Sequence, residues 1–389
     1  MKELGHRDCV AAALNHEDDC RVPVNNFALV TAARSAGYRM SQARSDPKIS
    51  ARVSVDYAVR TGSDFVKPIL DSQVPFKDLG MKVDFPDDDY GVVPKPIAKT
   101  EKQIDDLALF DPWAAEECPM FTSVFVDSLE ETARILPEDL HICGLSWGPI
   151  STAGYIMGVE DMLMSALFDG DIVKKLISKV TGFVSAQQRR MLEAGATVMW
   201  MADPTASQDL ISPDMFEEFC LGGIKKVVDD VKDEYKDAPT FVHICGNTLD
   251  VMDIFPRTGA DCISFDHAVD PGSAKSKSKG RFTIMGNIDP VNGIMMGTPD
   301  SIRKECFGIM DAAAEGGGFI LAPGCETPIS SPDENVIAMC DAARDYRKHR
   351  NRLPTIFTDI GLGYKLPPRR PQGSHPLPRG MVPKVQYTE

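Results

Sequence analysis

The tetrapeptide His-Ile-Cys-Gly occurs twice, at 141–144 and at 243–246. On an extended strand, an imidazole and a thiol two residues apart point to the same face, so either pair could converge on one metal ion. A catalytic zinc takes three protein ligands at roughly 2.0–2.3 Å and keeps a fourth position open. The third ligand must therefore come from elsewhere in the chain. Cys325, in Ala322-Pro-Gly-Cys-Glu-Thr-Pro, follows another apolar run, and with His243 and Cys245 it would complete a His-Cys-Cys set. His141 and Cys143 could equally supply ligands on geometry, although positions 144–149 add no further soft donor. Asp266 could fill the open position as an oxygen ligand; its other reading is a helix cap or salt-bridge partner.

The elements that would carry these groups are visible as apolar runs at 21–25, 65–70, 141–145, 197–201, 240–245, 262–265, 282–286 and 319–322. Between them lie amphipathic stretches such as 172–194, 213–232 and 299–315, the last opening on a first-turn proline. Strands alternating with helices pair in parallel through right-handed crossovers. Eight of them predict an α/β fold of the (β/α)8 TIM-barrel type, one domain over 1–350. A doubly wound sheet would share the alternation, but no Gly-rich dinucleotide fingerprint or P-loop follows any strand. Asn25, Asn26, Asp71, Trp147, Asp203, His243, Cys245, Asp266, His267, Asn287, Asp289 and Cys325 all fall at or just past a predicted carboxyl end. A barrel assembles its active site at that rim.

One crossover, 72–140, is longer than the rest, and its segment 81–93 reads as a β-hairpin with an acidic turn. Such a hairpin either lies over the barrel mouth or decorates the surface. Trp147, Met199, Trp200, Met201 and Phe265 would line an aromatic-sized pocket or simply fill the core. The stretch 351–389 differs in kind, with seven prolines and six basic residues against two acids. It is expected to be an extended tail or an arm strapped onto the acidic body or a neighbouring subunit, which would make the protein a homo-oligomer.

Composition narrows the function. The 389 residues are 43% hydrophobic and 25% charged, with a formal net charge of −15. An acidic chain of this kind is a poor partner for nucleic acid, whose phosphates must be neutralised. No apolar run approaches the roughly 18–20 residues of a membrane span, and the first residues are too polar for a secretory signal. A soluble cytoplasmic protein is expected. Its ten cysteines are too sparse for a disulfide framework and are expected to be thiols, most of them packing residues.

With these residues in view, the sequence resembles the uroporphyrinogen decarboxylase-like superfamily. Within it, the nearest resemblance is to zinc methyltransferases that work with corrinoid proteins, such as the methylcobamide:coenzyme M methyltransferases. The similarity rests on His-Ile-Cys-Gly-Asn-Thr (243–248), Thr-Gly-Ala-Asp-Cys-Ile-Ser-Phe-Asp (258–266), Met-Gly-Asn-Ile-Asp-Pro (285–290) and Pro-Gly-Cys-Glu (323–326). More loosely it spans 1–350. The resemblance implies zinc on His243, Cys245 and Cys325, and favours the second His-Ile-Cys copy over the first. It places Asn247, Asn287 and Asp289 near a substrate and corrinoid face, with Trp147 beside them. It also sets Asp71 and Tyr155 near the acid and tyrosine of the decarboxylases, leaving Asp266, Asp203 and Tyr155 as candidate catalytic groups. The corrinoid would arrive on a partner protein. Two half-reactions fit: methylation of a coenzyme M-type thiol, or demethylation of a methoxylated aromatic donor. The rivals are a tetrapyrrole decarboxylase, for which Arg34 and Arg39 would bind carboxylates, and a non-catalytic corrinoid- or metal-binding protein.

Overall fold

The computed structural model describes residues 5–136 and 139–350, the side chains of 348–350 excepted. The tail or arm expected at 351–389 lies outside the described residues. Seven parallel strands form one sheet in chain order: β1 (Phe65–Val66), β2 (His141–Trp147), β3 (Val198–Ala202), β4 (Thr240–Ile244), β5 (Cys262–Phe265), β6 (Thr283–Ile288) and β7 (Phe319–Pro323). Nearly every strand residue is buried, as parallel strands covered on both faces require. The register sets Leu145 beside Trp200, Trp200 beside Phe241 and Phe241 beside Cys262. The rings of Trp200 and Phe241 lie 5.7 Å apart, and those of Phe65 and Phe241 5.8 Å. Full burial of an aromatic of this size stabilises the fold by roughly 1.5–3 kcal/mol.

The eighth strand expected at 21–25 is not formed as a strand. Val24 alone makes a single parallel bridge to Leu321. Pro23 has no N–H to give, Asn25 turns its side chain to accept the amide of Phe27 at 2.9 Å, and the Asn26 amide goes to the Ser63 hydroxyl at 3.2 Å. Even so, Asn25 N donates to Leu321 O at 2.9 Å, and Asp64 N donates to Val24 O at 2.8 Å. The sheet therefore curls until residues 23–25 span its two edges. The buried carboxylate of Asp64 secures this seam, accepting from Arg21 Nη1 at 2.9 Å and Val24 N at 2.6 Å, with His6 Nδ1 2.7 Å away. These partners hold its pKa below the usual carboxylate value despite its burial.

Other boundaries shift for local reasons. The run 65–70 yields only Phe65–Val66, because Pro68 cannot donate to a ladder. The run 282–286 continues to Ile288, which puts Asn287 inside β6. Helices Gly170–Glu193 and Pro299–Ala313 match their expected positions, while 213–232 is Pro213–Met215, a π-turn Phe216–Cys220, and Leu221–Glu234. The hairpin at 81–93 is present as one antiparallel pair, Asp84 with Val92, bonded at 2.9 and 2.8 Å. The expectation of ten thiols is corrected at one pair. The turn after helix His6–Leu14 brings the Cα atoms of Cys9 and Cys20 to 5.3 Å, and the two sulfurs are joined in a disulfide. Among the described residues no helix is long and apolar enough to cross a membrane.

Candidate metal centre

β4 ends at Ile244, so His243 is its penultimate residue and Cys245 the first beyond it. Two glycines shape the turns that carry the sulfurs. Gly246 has φ +71°, and a Cβ there would lie 2.0 Å from Asp209 Oδ2. At Gly324, a Cβ would lie 2.3 Å from the backbone nitrogen of His267. The chain therefore passes over the end of β5 with no side chain between, and delivers Cys325 opposite Cys245. His243 Nε2 is 3.1 Å from Cys245 Sγ, and the two sulfurs are 3.5 Å apart. All three donor atoms lie within 4.8 Å of one another. Ligands at zinc distances around a tetrahedral ion stand about 3.3–3.8 Å apart; the sulfur pair falls in that range and the imidazole–sulfur pair lies slightly inside it. His243 Nδ1 sits 3.0 Å from Ser264 Oγ, its neighbour in register on β5, the second contact that fixes a ligating imidazole.

The two thiols titrate unequally. The hydrogen bond from Cys245 draws the Cys325 thiol down, with His243 adding to it. Cys245 is pushed up, first by the same hydrogen bond and then by burial, with Asp266 contributing. One thiolate and one thiol sharing a proton are what two close sulfurs adopt, and a divalent cation between them would remove that proton.

A cavity of about 270 Å³ opens onto these three residues. Its other walls are Phe27, Ser72, Gln73, Tyr90, Leu145, Ser146, Trp147, Tyr155, Ala202, Pro204 and Glu326. No lysine or arginine is among the described residues lining it. Of the candidates from sequence, Trp147 and Tyr155 face it, their rings 5.4 Å apart.

The remaining candidates stand elsewhere, each held by identifiable bonds. Asp266 Oδ1 accepts from Ala268 N at 2.9 Å and pairs with His267 Nδ1 at 2.7 Å, the cap and salt-bridge reading. Asp203 is buried behind Ala202 and Pro204, accepts from Ser151 N at 2.8 Å, and is pushed up to about 6 by burial. Asp71 is paired in the interior with Arg44 at 2.7 Å and accepts from Gly91 N at 2.9 Å, pinning the hairpin. Asn287 donates to the carbonyls of Asp266 and Val269 at 3.0 and 2.7 Å. Asp289 caps the turn Pro290–Met295, accepting from Val291 N and Asn292 N, both at 2.9 Å. Asn247 is exposed; its side chain accepts from Leu249 N at 3.1 Å, and its backbone bonds to the 208–209 loop, donating to Asp209 Oδ2 at 3.2 Å and accepting from Gln208 N at 2.9 Å. Arg34 and Arg39 pair with Asp333 and Asp87 at 3.2 and 2.5 Å, outside the cavity lining.

Sequence reasoning missed four groups. Glu326, directly after Cys325, is half-buried, and burial pushes it up to about 7; the Tyr90 hydroxyl donates to it at 2.7 Å. Lys67 is buried without a hydrogen-bond partner, its ammonium 3.4 and 3.3 Å from the ring centres of Phe27 and Trp200, and burial lowers it to about 7. Gln73 is buried beside Tyr155. Position within the Pro-Gly-Cys-Glu motif was a usable signal for Glu326. For Tyr90, Lys67 and Gln73 the sequence offers none beyond the hairpin and strand patterns.

Three comparisons with known proteins bear on this geometry. The family model described as uroporphyrinogen decarboxylase (URO-D) matches residues 6–346. A methylcobamide:CoM methyltransferase, MtbA of Methanosarcina mazei, is 35% identical over 227 residues, which is 57% of this chain and 64% of the relative. The match thus spans under two thirds of that relative's length. A uroporphyrinogen decarboxylase of Crocosphaera subtropica is 26% identical over 77% of this chain and 82% of its own. Among solved structures, a methyltransferase from Methanosarcina mazei superposes with a TM-score of 0.78 at 23% identity, covering 89% of this chain and all of that one. The chain belongs to the uroporphyrinogen decarboxylase family.

Proposed function

We propose that this member of the uroporphyrinogen decarboxylase family is a zinc-dependent methyltransferase that works with a corrinoid protein. It would move a methyl group between corrinoid cobalt and a small molecule held in the cavity. The observation that carries this reading is the convergence of His243, Cys245 and Cys325 at the cavity wall. A decarboxylase of acidic tetrapyrroles needs cations around its substrate and has no use for two sulfurs and an imidazole. The described lining supplies the second set and lacks the first.

A zinc ion on these donors would supply Lewis acidity toward an ether oxygen, or hold a thiolate ready to react. The chain's own part is to orient and enclose. Ser264 fixes the imidazole, Gly324 and Gly246 fix the two sulfurs, and the aromatic walls exclude water. Two cysteinate charges roughly neutralise a divalent ion, so the site favours ligands that bring little charge of their own. Of the two half-reactions, demethylation of a methoxylated aromatic agrees better with this cavity. A coenzyme M-type thiol carries a sulfonate, for which the described walls offer no cation. The same reading takes 1–350 as one barrel domain of the (β/α)8 type and the protein as cytoplasmic.

The test pairs metal analysis of the purified chain with two assays: cob(I)alamin plus a methoxybenzene derivative, and methylcobalamin plus coenzyme M. Stoichiometric zinc with methyl transfer in the first assay is expected. Zinc with transfer only in the second would move the assignment to the thiol half-reaction. A metal-free chain that decarboxylates uroporphyrinogen would overturn the proposal.

A further inference from the structure

One buried charge has no part in the chemistry described so far. Lys67 is the first residue past β1, two on from Phe65, so its side chain follows that ring into the interior of the curled sheet. The residue is 3% exposed and its ammonium has no hydrogen-bond partner. It lies instead against two π faces, 3.4 Å from the ring centre of Phe27 and 3.3 Å from that of Trp200. Both rings reach the metal end of the cavity. Phe27 lines it and meets the His243 imidazole edge-on at 5.3 Å, while Trp200 lies nearly parallel to that imidazole at 6.5 Å. The ammonium thus stands one ring away from a ligating side chain and is sealed from solvent. Burial draws it down to about 7, and the groups that pull the other way are Cys143, Glu326 and Cys325. The last two belong to the cavity lining. Ring faces recover only part of the cost of burying an ammonium, and a methionine would fill the same space without that cost.

We infer that Lys67 is a positioning residue: its ammonium, acting through the faces of Phe27 and Trp200, supplies the countercharge for one anionic ligand atom at the metal end of the cavity. This rests on the methyl-transfer reading above and adds how the site holds the charge that transfer creates or demands. Transfer from an ether to cobalt(I) breaks the C–O bond and leaves its electron pair on oxygen, which afterwards takes a proton from water. Transfer to a thiol first gives up the S–H proton; the S–C bond then forms from the sulfur's pair, and the pair of the broken C–Co bond stays with cobalt. In either sense the small molecule is an anion at its reacting atom for part of the cycle. A divalent ion with two cysteinates is close to neutral, so the donor set does not balance that extra charge. A positive charge fixed behind a low-dielectric wall does, without reorganisation at the moment of transfer. Standing behind the rings rather than in the lining, it offers no salt bridge to a carboxylate or sulfonate elsewhere on the ligand.

Calorimetric titration of the zinc-loaded full-length chain at about pH 7 tests this without turnover. Two probes are compared: benzenethiol, a stronger acid than cysteine that binds as its thiolate, and methoxybenzene, which is uncharged. In Lys67→Met, benzenethiol affinity should fall roughly tenfold or more, the size expected for unit charges about 8–10 Å apart at an effective dielectric near 20. Methoxybenzene affinity should change less than about twofold, and zinc should stay stoichiometric. Lys67→Gln should give the same split and serves if the first variant fails to fold. A loss shared equally by both probes would mark Lys67 as packing alone and overturn the inference. So would an unchanged benzenethiol affinity in either folded variant, or no benzenethiol binding by the unaltered chain. Methyl transfer is scored separately. A split between the probes without transfer in either assay would sink the transfer reading and leave the countercharge standing.

Discussion

The two His-Ile-Cys-Gly copies are identical in sequence and opposite in placement. The first opens β2: His141 is the strand's first residue and Cys143 its third, in register with Val198 at the start of β3. The second closes β4, with Cys245 already beyond the strand. Cys143 is fully buried, its thiol pushed up to about 12 by that burial, and it belongs to no group of three metal donors among the described residues. Cys245 has Cys325 at 3.5 Å. Each imidazole leans on a hydroxyl from the next strand or its approach, Thr197 at 3.1 Å for His141 and Ser264 at 3.0 Å for His243. The spacing and the supporting contact are thus shared. What differs is position along the strand, because in this fold only the carboxyl ends meet loops that can bring a third donor.

Paired substitutions break or sharpen this contrast. The largest effect is expected for Cys245→Ala, which should abolish stoichiometric zinc and lower methyl transfer roughly a hundredfold or more; Cys143→Ala should leave metal content intact. Elemental analysis of both variants decides it, and the reverse pattern would exchange the roles of the two copies. Next comes the hydroxyl behind each imidazole. Ser264→Ala should weaken zinc binding by about 10–100-fold in a chelator competition, whereas Thr197→Ala should not change it.

The third prediction concerns pH. Burial lowers His141 to about 4 from its usual 6.5, so the unfolded chain takes up a proton there that the folded chain refuses. The stability this represents is fully present above pH 6.5 and is lost as pH falls through 4. The loss amounts to about 3 kcal/mol, and denaturant titrations at several pH values should lose that component in His141→Phe. The smallest expected effect is on stability in Cys143→Ala, about 1 kcal/mol for the removed buried sulfur.

Much of the strand order was legible because buried parallel strands write themselves as apolar runs between amphipathic stretches. The boundaries were less so. Pro68 and Pro23 cut short runs whose composition alone looked like strand, and the extension of β6 through Asn287 comes from its pairing with Ala322 and Pro323 on β7, which no local pattern reveals. The soft-donor set was legible because two glycine-flanked cysteines and a strand-end histidine leave their mark in one dimension. The polar candidates fared differently. Asp71, Asp266 and Asp289 sit near strand ends as a site residue would, yet each is occupied by a guanidinium, an imidazole or backbone amides, while Asp203 keeps one buried carboxylate oxygen unpaired. Caps and active-site acids share the same addresses in an α/β chain, and only the partners separate them. Lys67 was invisible for the converse reason, since what distinguishes it is a buried ammonium with no hydrogen-bond partner.

The seam at residues 23–25 has a mechanical corollary. A hoop fastened by three backbone bonds and one carboxylate, rather than by a full ladder, has a clasp. Acid that protonates Asp64 loosens its hold on Arg21 and the Val24 amide, and the ends of the hoop part before its staves do. Amide exchange should therefore run ahead at positions 24, 25 and 321 as pH drops, with β3 to β5 still shielded; uniform exchange around the ring would mean that the clasp bears no load.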